Sequence, residues 1–263
     1  MKSIFTQVAD LEVNEGTAIL CTIVDAKGSA PRRSSSKMLV FPDGTFSGTV
    51  GGGEVEGRII KEALQSLSDG KTRLLHYDLV NPESGDPGIC GGQVEVYVEP
   101  IYPNPKLVVI GGGHVGSALI HIGKWLGFRV VVSDEREEFC NPDVHPDGDE
   151  FFNCPMEELP AKVNIHSSTY IVLATGGVDI DVPGLPGLIK SDAAYVGVLG
   201  SKKRWASTRK GLIEMGIGED KINKVNSPVG LELNAETPEE IAVSILAEIL
   251  MLRHEGSGQS MKV

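Results

Sequence analysis

The run Leu107-Val108-Val109-Ile110-Gly111-Gly112-Gly113-His114-Val115-Gly116 decides how the second half of the chain is read. Four apolar, mostly β-branched residues make a short buried strand, and Gly111, Gly113 and Gly116 fall directly behind it on the spacing G-x-G-x-x-G. That spacing alone is common. Here it follows a strand, opens an apolar helix predicted over His114–Leu126, and precedes a second strand, Arg129–Ser133, that ends on Asp134. In this context the first glycine permits a tight turn, the second lets a phosphate approach the backbone and the third lets helix pack on strand. The helix N-terminus offers free N–H groups and a positive dipole end to an anion. Asp134 is the expected acceptor for a ribose hydroxyl, and His114 either contacts the ligand or caps the helix. The alternative is a glycine-rich packing turn without a ligand.

Outward from this turn, strands and helices alternate. Further strands are predicted at Tyr170–Ala174 and Tyr195–Leu199, with helices at Lys202–Met215 and Pro238–Leu252, the last capped by Thr237 with proline at its first position. Alternation of this kind implies a doubly wound parallel sheet, a Rossmann-type domain over residues 106–252, followed by a frayed tail, 253–263. Glu99–Lys106 carries three prolines in eight residues and is expected to break any strand or helix, separating this domain from residues 1–100. The first hundred residues read as a mostly β domain: a buried strand at Thr17–Val24, a hairpin at Lys37–Phe41 and Thr45–Val50, and strands at Leu74–Leu79 and Gln93–Val98. One amphipathic helix covers them, from near Gly53 to Asp69, with Gly70 as its stop. The fold class expected is α/β: this β domain with its covering helix, plus the Rossmann-type domain.

Composition narrows the function classes. The formal net charge of −12 repels nucleic acid and anionic membranes, so an anionic ligand must be held by local donors. No apolar run reaches the roughly 20 residues that span a bilayer. Met1–Asp10 lacks the apolar stretch and small-residue cleavage site of a signal peptide. Cys21, Cys90, Cys140 and Cys154 show no C-x-x-C spacing. A cytoplasmic location follows as the expectation.

Glycines number 32 and are clustered, which marks places where backbone approaches a ligand or turns tightly. Gly51-Gly52-Gly53 precedes a helix and leaves backbone N–H groups able to converge on one small group. Glu54 behind it is a functional candidate, more so than Glu56; either also suits the helix dipole. Arg32 lies in Gly28–Ser36, a loop dense in anion donors. Gly200 and Ser201, with Lys202-Lys203-Arg204, form a second strand-to-helix turn suited to phosphate, since cations there oppose the dipole and ask for a reason. Cys90 sits among glycines in Gly88–Gly92, where a soft thiolate suits a soft metal centre or transferable sulfur. Cys21, inside a strand, is expected to be core.

These landmarks together resemble the XdhC/CoxF-type accessory proteins of xanthine dehydrogenase and related molybdenum hydroxylases. The resemblance rests on Gly28–Arg32, Gly51–Glu56, Cys90–Gly92, Val94–Pro100, Gly111–Gly116, Asp134–Arg136, Val196–Ser201 and Glu236–Ala242. It implies a chaperone that binds molybdenum cofactor, supports its sulfuration with a cysteine desulfurase and delivers it to an apo-hydroxylase; the acidic chain with an exposed C-terminal helix adds the expectation of a homodimer. Cys90 would contact the metal and act with Glu54; Arg32, Gly51–Gly53, the Gly111–Gly116 turn, Asp134, Gly200 and Ser201 would bind cofactor. The family carries Thr-His where this chain has Thr175-Gly176. Two rival classes remain: an oxidoreductase using NAD(P) or FAD, disfavoured because the sequence offers no evident proton-transfer pair, and a non-catalytic nucleotide-binding sensor.

Overall fold

A computed structural model describes residues 2–29, 34–79 and 91–262. The chain divides into two compact units, Met1–Pro103 and Asn104–Val263.

The first unit is a five-stranded antiparallel sheet. Its strands are β1 (Ala18–Lys27), β2 (Lys37–Val40), β3 (Phe46–Gly48), β4 (Arg73–Leu79) and β5 (Gly92–Ile101), in the order β3-β2-β1-β5-β4. Alternation along β5 buries Val94, Val96 and Val98, and β1 adds Ile19, Cys21 and Ile23 to the same core. The covering helix, Gly53–Asp69, seals this core with Val55, Ile59 and Ala63 and stops at Gly70 in the left-handed region. Burying Ile59 alone contributes about 2 kcal/mol. Cys21 is fully buried, and burial pushes its thiol up to about 12, as core packing requires.

Two features of this unit differ from the sequence reading. A helix, Ile4–Val13, precedes the sheet; Ser3 caps it by accepting from the Thr6 N–H, and its apolar stripe of Ile4, Val8 and Leu11 is only half-buried. In chain order it is α1 and the covering helix α2. The proline-rich stretch does not break the strand either. β5 runs through Pro100, opposite Ile19, to Ile101. Strand β4 ends its pairing at Val98, so beyond that point β5 is an edge, where a missing N–H is tolerated.

The second unit is an all-parallel sheet. Strands β6 (Lys106–Ile110), β7 (Arg129–Ser133), β8 (Glu150–Phe152), β9 (Thr169–Leu173) and β10 (Tyr195–Val198) lie in the order β10-β9-β6-β7-β8. This is the doubly wound order, with its reversal between β6 and β9. β6 is buried along its whole length. Helices α3 (His114–Trp125) and α8 (Pro238–Arg253) pack on one face around Leu119, Ile120 and Ile245. On the other face, α4 (Leu159–Lys162), α5 (Val178–Ile189), α6 (Lys202–Glu214) and α7 (Glu219–Ile222) pack around Leu185, Leu188 and Leu212. Thr237 and Glu240 form a complete capping box at the start of α8.

Helix α5 escaped the sequence reading because Pro183 and Pro186 lie inside it. Each proline removes one helical hydrogen bond. Burial of Gly184, Leu185 and Leu188, together with a buried ion pair on Asp181, holds the segment helical nonetheless. Among the described residues, no helix is long and apolar enough to cross a membrane.

Candidate functional site

At the carboxyl end of β6 the chain turns on Gly111. Its N–H bonds the Ser133 carbonyl, and its φ of 106° belongs to glycine. Each glycine of the motif has its own neighbour. A Cβ on Gly111 would lie 2.6 Å from the Ala174 carbonyl oxygen, and one on Gly116 would lie 1.9 Å from the Gly111 carbonyl oxygen. Gly113, the N-cap of α3, is the exception. Its φ is an ordinary −70°, and a Cβ there would meet nothing within 4 Å. The open side of the turn is therefore at Gly113, at the N-terminus of α3. His114 beside it is exposed.

Asp134 lies against this turn with only 6% of its side chain exposed. Its Oδ2 accepts from the Gly112 N–H at 2.9 Å and from Arg136 Nη2 at 2.8 Å. Its Oδ1 accepts from the Arg136 N–H at 3.0 Å and from Arg136 Nε at 2.9 Å. Burial pushes this carboxyl up, but the Arg136 guanidinium and the N–H groups of Arg136 and Gly112 outweigh it and hold it below the usual carboxylate range. A carboxylate offers about four lone-pair sites. All four are filled, so Asp134 braces the glycine turn and fixes Arg136 where the sequence led us to expect a free ribose acceptor.

A cavity of about 270 Å3 opens beside this pair at the sheet's reversal. Ile110, Met156 and Ile180 give it apolar walls; Asp134, Glu135 and Arg136 form one edge, and Ala174, Thr175 and Gly176 another. Cys154, 5% exposed, also faces it. The Thr175 edge is held from behind. Arg204 donates from Nη1 to the Thr175 carbonyl at 2.7 Å and from Nε to Asp181 Oδ2 at 2.9 Å. Thr175 Oγ1 donates to Asp181 Oδ1 at 2.6 Å, and Asp181 is fully buried.

This clamp corrects one expectation. Of the three cations expected to attract phosphate behind Gly200 and Ser201, Arg204 is committed to Asp181, while Lys202 and Lys203 are exposed. Ser201 caps α6 by accepting from the Arg204 N–H at 3.2 Å. Neither Gly200 nor Ser201 lines the cavity.

In the first unit, the segments around Gly28 and Gly91–Gly92 meet at one end of the antiparallel sheet. Lys27 at the end of β1 pairs with Gln93 near the start of β5, and Leu79 at the end of β4 pairs with Gly92. Gly28 packs against Gly91 and Gly92. Strand β3 ends at Gly48, opposite Met38, and Gly51–Gly53 follow it into α2. Gly52 and Gly53 have φ of 91° and 61°, and a Cβ on either would meet nothing within 4 Å. Glu56 braces this turn, accepting from the Val50 N–H at 3.1 Å and from the Thr49 hydroxyl. Glu54 points away into an exposed pair with Arg58, Oε1 to Nη2 at 2.5 Å. Arg32 and Cys90 lie outside the described residues.

The sequence reading missed Cys154, Met156, Ile180 and the Asp181–Arg204 clamp. It also missed His145, whose buried Nε2, without a hydrogen-bond partner among the described residues, would lie 2.8 Å from a Cβ on Gly112. Only Thr175-Gly176, directly behind β9 at the sheet reversal, carried a signal that could have found the second edge of the cavity.

A family model described as the XdhC Rossmann domain matches residues 107–249, and one described as the XdhC and CoxI family matches residues 13–78. The chain belongs to the XdhC family. Among curated relatives, the uncharacterized protein YqeB of Escherichia coli K12 is 36% identical over 98% of this chain and 48% of its own length. A protein of Bacillus subtilis 168, named as a probable xanthine dehydrogenase subunit, is 31% identical over 60% of this chain and 46% of its own. The chain thus spans about half the length of these two relatives. The molybdenum cofactor insertion chaperone PaoD of E. coli K12 is 24% identical over 90% of this chain and 83% of its own. A crystal structure of a protein named as a xanthine dehydrogenase from Bacillus halodurans superposes with a TM-score of 0.52 at 22% identity, covering 99% of this chain and 98% of that one. The likeness is one of fold.

Proposed function

We propose that this protein is an accessory factor for molybdenum hydroxylases: it binds molybdenum cofactor as cargo, supports exchange of an oxo for a sulfido ligand with a cysteine desulfurase, and passes the cofactor to an apo-enzyme of the xanthine dehydrogenase kind. The observation that carries this reading is the similarity to a protein named as an insertion chaperone across nine-tenths of this chain. The first unit supplies the cargo site in this proposal. Backbone N–H groups of Gly51–Gly53 receive an anionic group, Arg32 adds a cation, and the Cys90 thiolate contacts the metal, with Glu54 beside the turn. Soft thiolate suits a soft metal centre, and the described residues contain no cluster of three or more His, Cys, Asp or Glu that would hold a metal ion instead. The protein acts in the cytoplasm as a homodimer and needs no substrate of its own.

Anaerobic gel filtration of the full chain with released molybdenum cofactor tests this reading, with molybdenum and pterin quantified in the protein peak. Near-stoichiometric retention of both is expected. The Cys90→Ser variant should lose molybdenum more than pterin. A peak free of both overturns the proposal, and equal loss of both in the variant overturns the thiolate–metal contact.

A further inference from the structure

The cavity of the second unit makes a separate demand, defined by its hydrogen-bonding groups. Along its Asp134–Arg136 edge every acceptor site of the Asp134 carboxylate is filled. The Arg136 guanidinium has five N–H donors. Two are used on Asp134, through Nε and Nη2, and no other described residue takes one. The group lies 4.1 Å from the centre of the Phe139 ring, and its side chain is 55% exposed. The edge therefore has open donors on Arg136, and its open acceptor is the exposed carboxylate of Glu135. A sugar diol finds no open acceptor on Asp134; a phosphate, which only accepts, finds a fixed planar cation in Arg136.

The rest of the cavity is equally specific in kind. Ile110, Met156 and Ile180 present apolar walls without a polar edge, which suits the faces of a base. The turn at Gly113 leaves open space at the N-terminus of α3, a helix of 12 residues, which suits a diphosphate. At about 270 Å3 the cavity lies near the lower limit of about 300 Å3 for sites that enclose a drug-sized ligand, so it encloses one nucleoside and leaves the remainder outside.

We infer that this cavity binds a ribonucleotide 5′-diphosphate whose ribose carries a 2′-phosphate, as in NADP, with the base between Met156 and Ile180, the diphosphate over Gly113 and the 2′-phosphate on Arg136. This is a second ligand, distinct from the molybdenum cargo. Glu135, exposed at the same rim, is the charge that opposes the 2′-phosphate.

Isothermal titration of the metal-free full chain with NADP+ and NAD+ tests the inference, because the two differ only at the 2′ position. NADP+ is expected to bind at least about tenfold more tightly. Arg136→Gln should abolish that preference by weakening NADP+ alone. Gly113→Ala, whose Cβ meets no protein atom, should keep the melting temperature of the wild type and weaken both ligands about tenfold. Failure of both dinucleotides to bind at millimolar concentration overturns the site. Tighter binding of NAD+ overturns the role of Arg136, and a Gly113→Ala variant with wild-type affinity overturns the placement of the diphosphate. No arm involves molybdenum, so failure here and failure of the chaperone reading are separately visible.

Discussion

Gly51–Gly53 and Gly111–Gly113 are the same three residues at the mouth of a helix, one in each unit, and the structure uses them for opposite reasons. Gly52 and Gly53 have open space around them but positive φ, so glycine is needed there for backbone conformation. Gly116 is needed for room, and Gly111 for room as well as for its φ of 106°: carbonyl oxygens occupy the places where their Cβ atoms would be. Gly113 needs neither, and its freedom from both constraints is what marks it as the side of the turn left for a ligand. Each turn is braced in the same manner, by a carboxylate that accepts a loop N–H. Glu56 serves the first and Asp134 the second. The identical string thus reports a helix entrance in both units, while the surrounding chain decides which glycines are structural.

Single substitutions put this contrast to the test. The largest effect is expected from Gly116→Ala, because the atom in the way is backbone and cannot swing aside. It should lose about 3 kcal/mol or more of the second unit's stability, read as a lower urea midpoint; a loss under about 1 kcal/mol would mean that strand and helix part easily there.

Asp134→Asn comes next, at about 1–2 kcal/mol, since a charge-assisted network on a buried acceptor is weakened while Arg136 stays half in solvent. It has a pH signature. The folded-state pKa of Asp134 is depressed, so its contribution is complete above the ordinary carboxylate pKa of about 3.9 and is lost as pH falls through the lower folded value. Stability of the wild type should fall over that acid window, and the variant should show a flatter limb. Equal acid sensitivity in both would remove Asp134 as the brace.

Gly53→Ala should cost about 1 kcal/mol through strain at φ of 61°, with no clash to relieve. A neutral result would show that the turn can relax, and that conformation is not why glycine stands there. Smallest of all, Gly113→Ala should change stability by less than about 0.5 kcal/mol, measured in the same denaturation series. A larger loss would place Gly113 with Gly116 and erase the distinction.

Much of the fold was legible because it depends on local rules. Strand β6, the glycine turn, helix α3 and the Thr237 cap are each written in a few consecutive residues. Helix α5 was not legible, since Pro183 and Pro186 argue locally against it and only burial against the sheet, with the Asp181–Arg204 pair, overrules them. Helix α1 was missed although Ile4, Val8 and Leu11 lie at helical spacing, a short stripe that stays only half-buried. Pro100 inside β5 is tolerated because of where the neighbouring strand stops, which no local string records.

The candidate site divides in the same way. Gly111, Gly113, Gly116 and Asp134 could be picked out by spacing alone, because a strand, a turn and a helix N-terminus are built by neighbours in the chain. What their side chains and backbone are free to do depends on tertiary contacts: Arg136 folding onto Asp134, Arg204 turning from the expected phosphate site onto Asp181, and Cys154, Met156 and Ile180 arriving from distant segments to wall the cavity. The parallel sheet and the position of the turn could be read from the order of residues, since periodicity and glycine geometry are local properties. Which hydrogen-bonding groups stay open to a ligand could not, because each donor and acceptor is claimed by whichever partner the folded chain brings within reach.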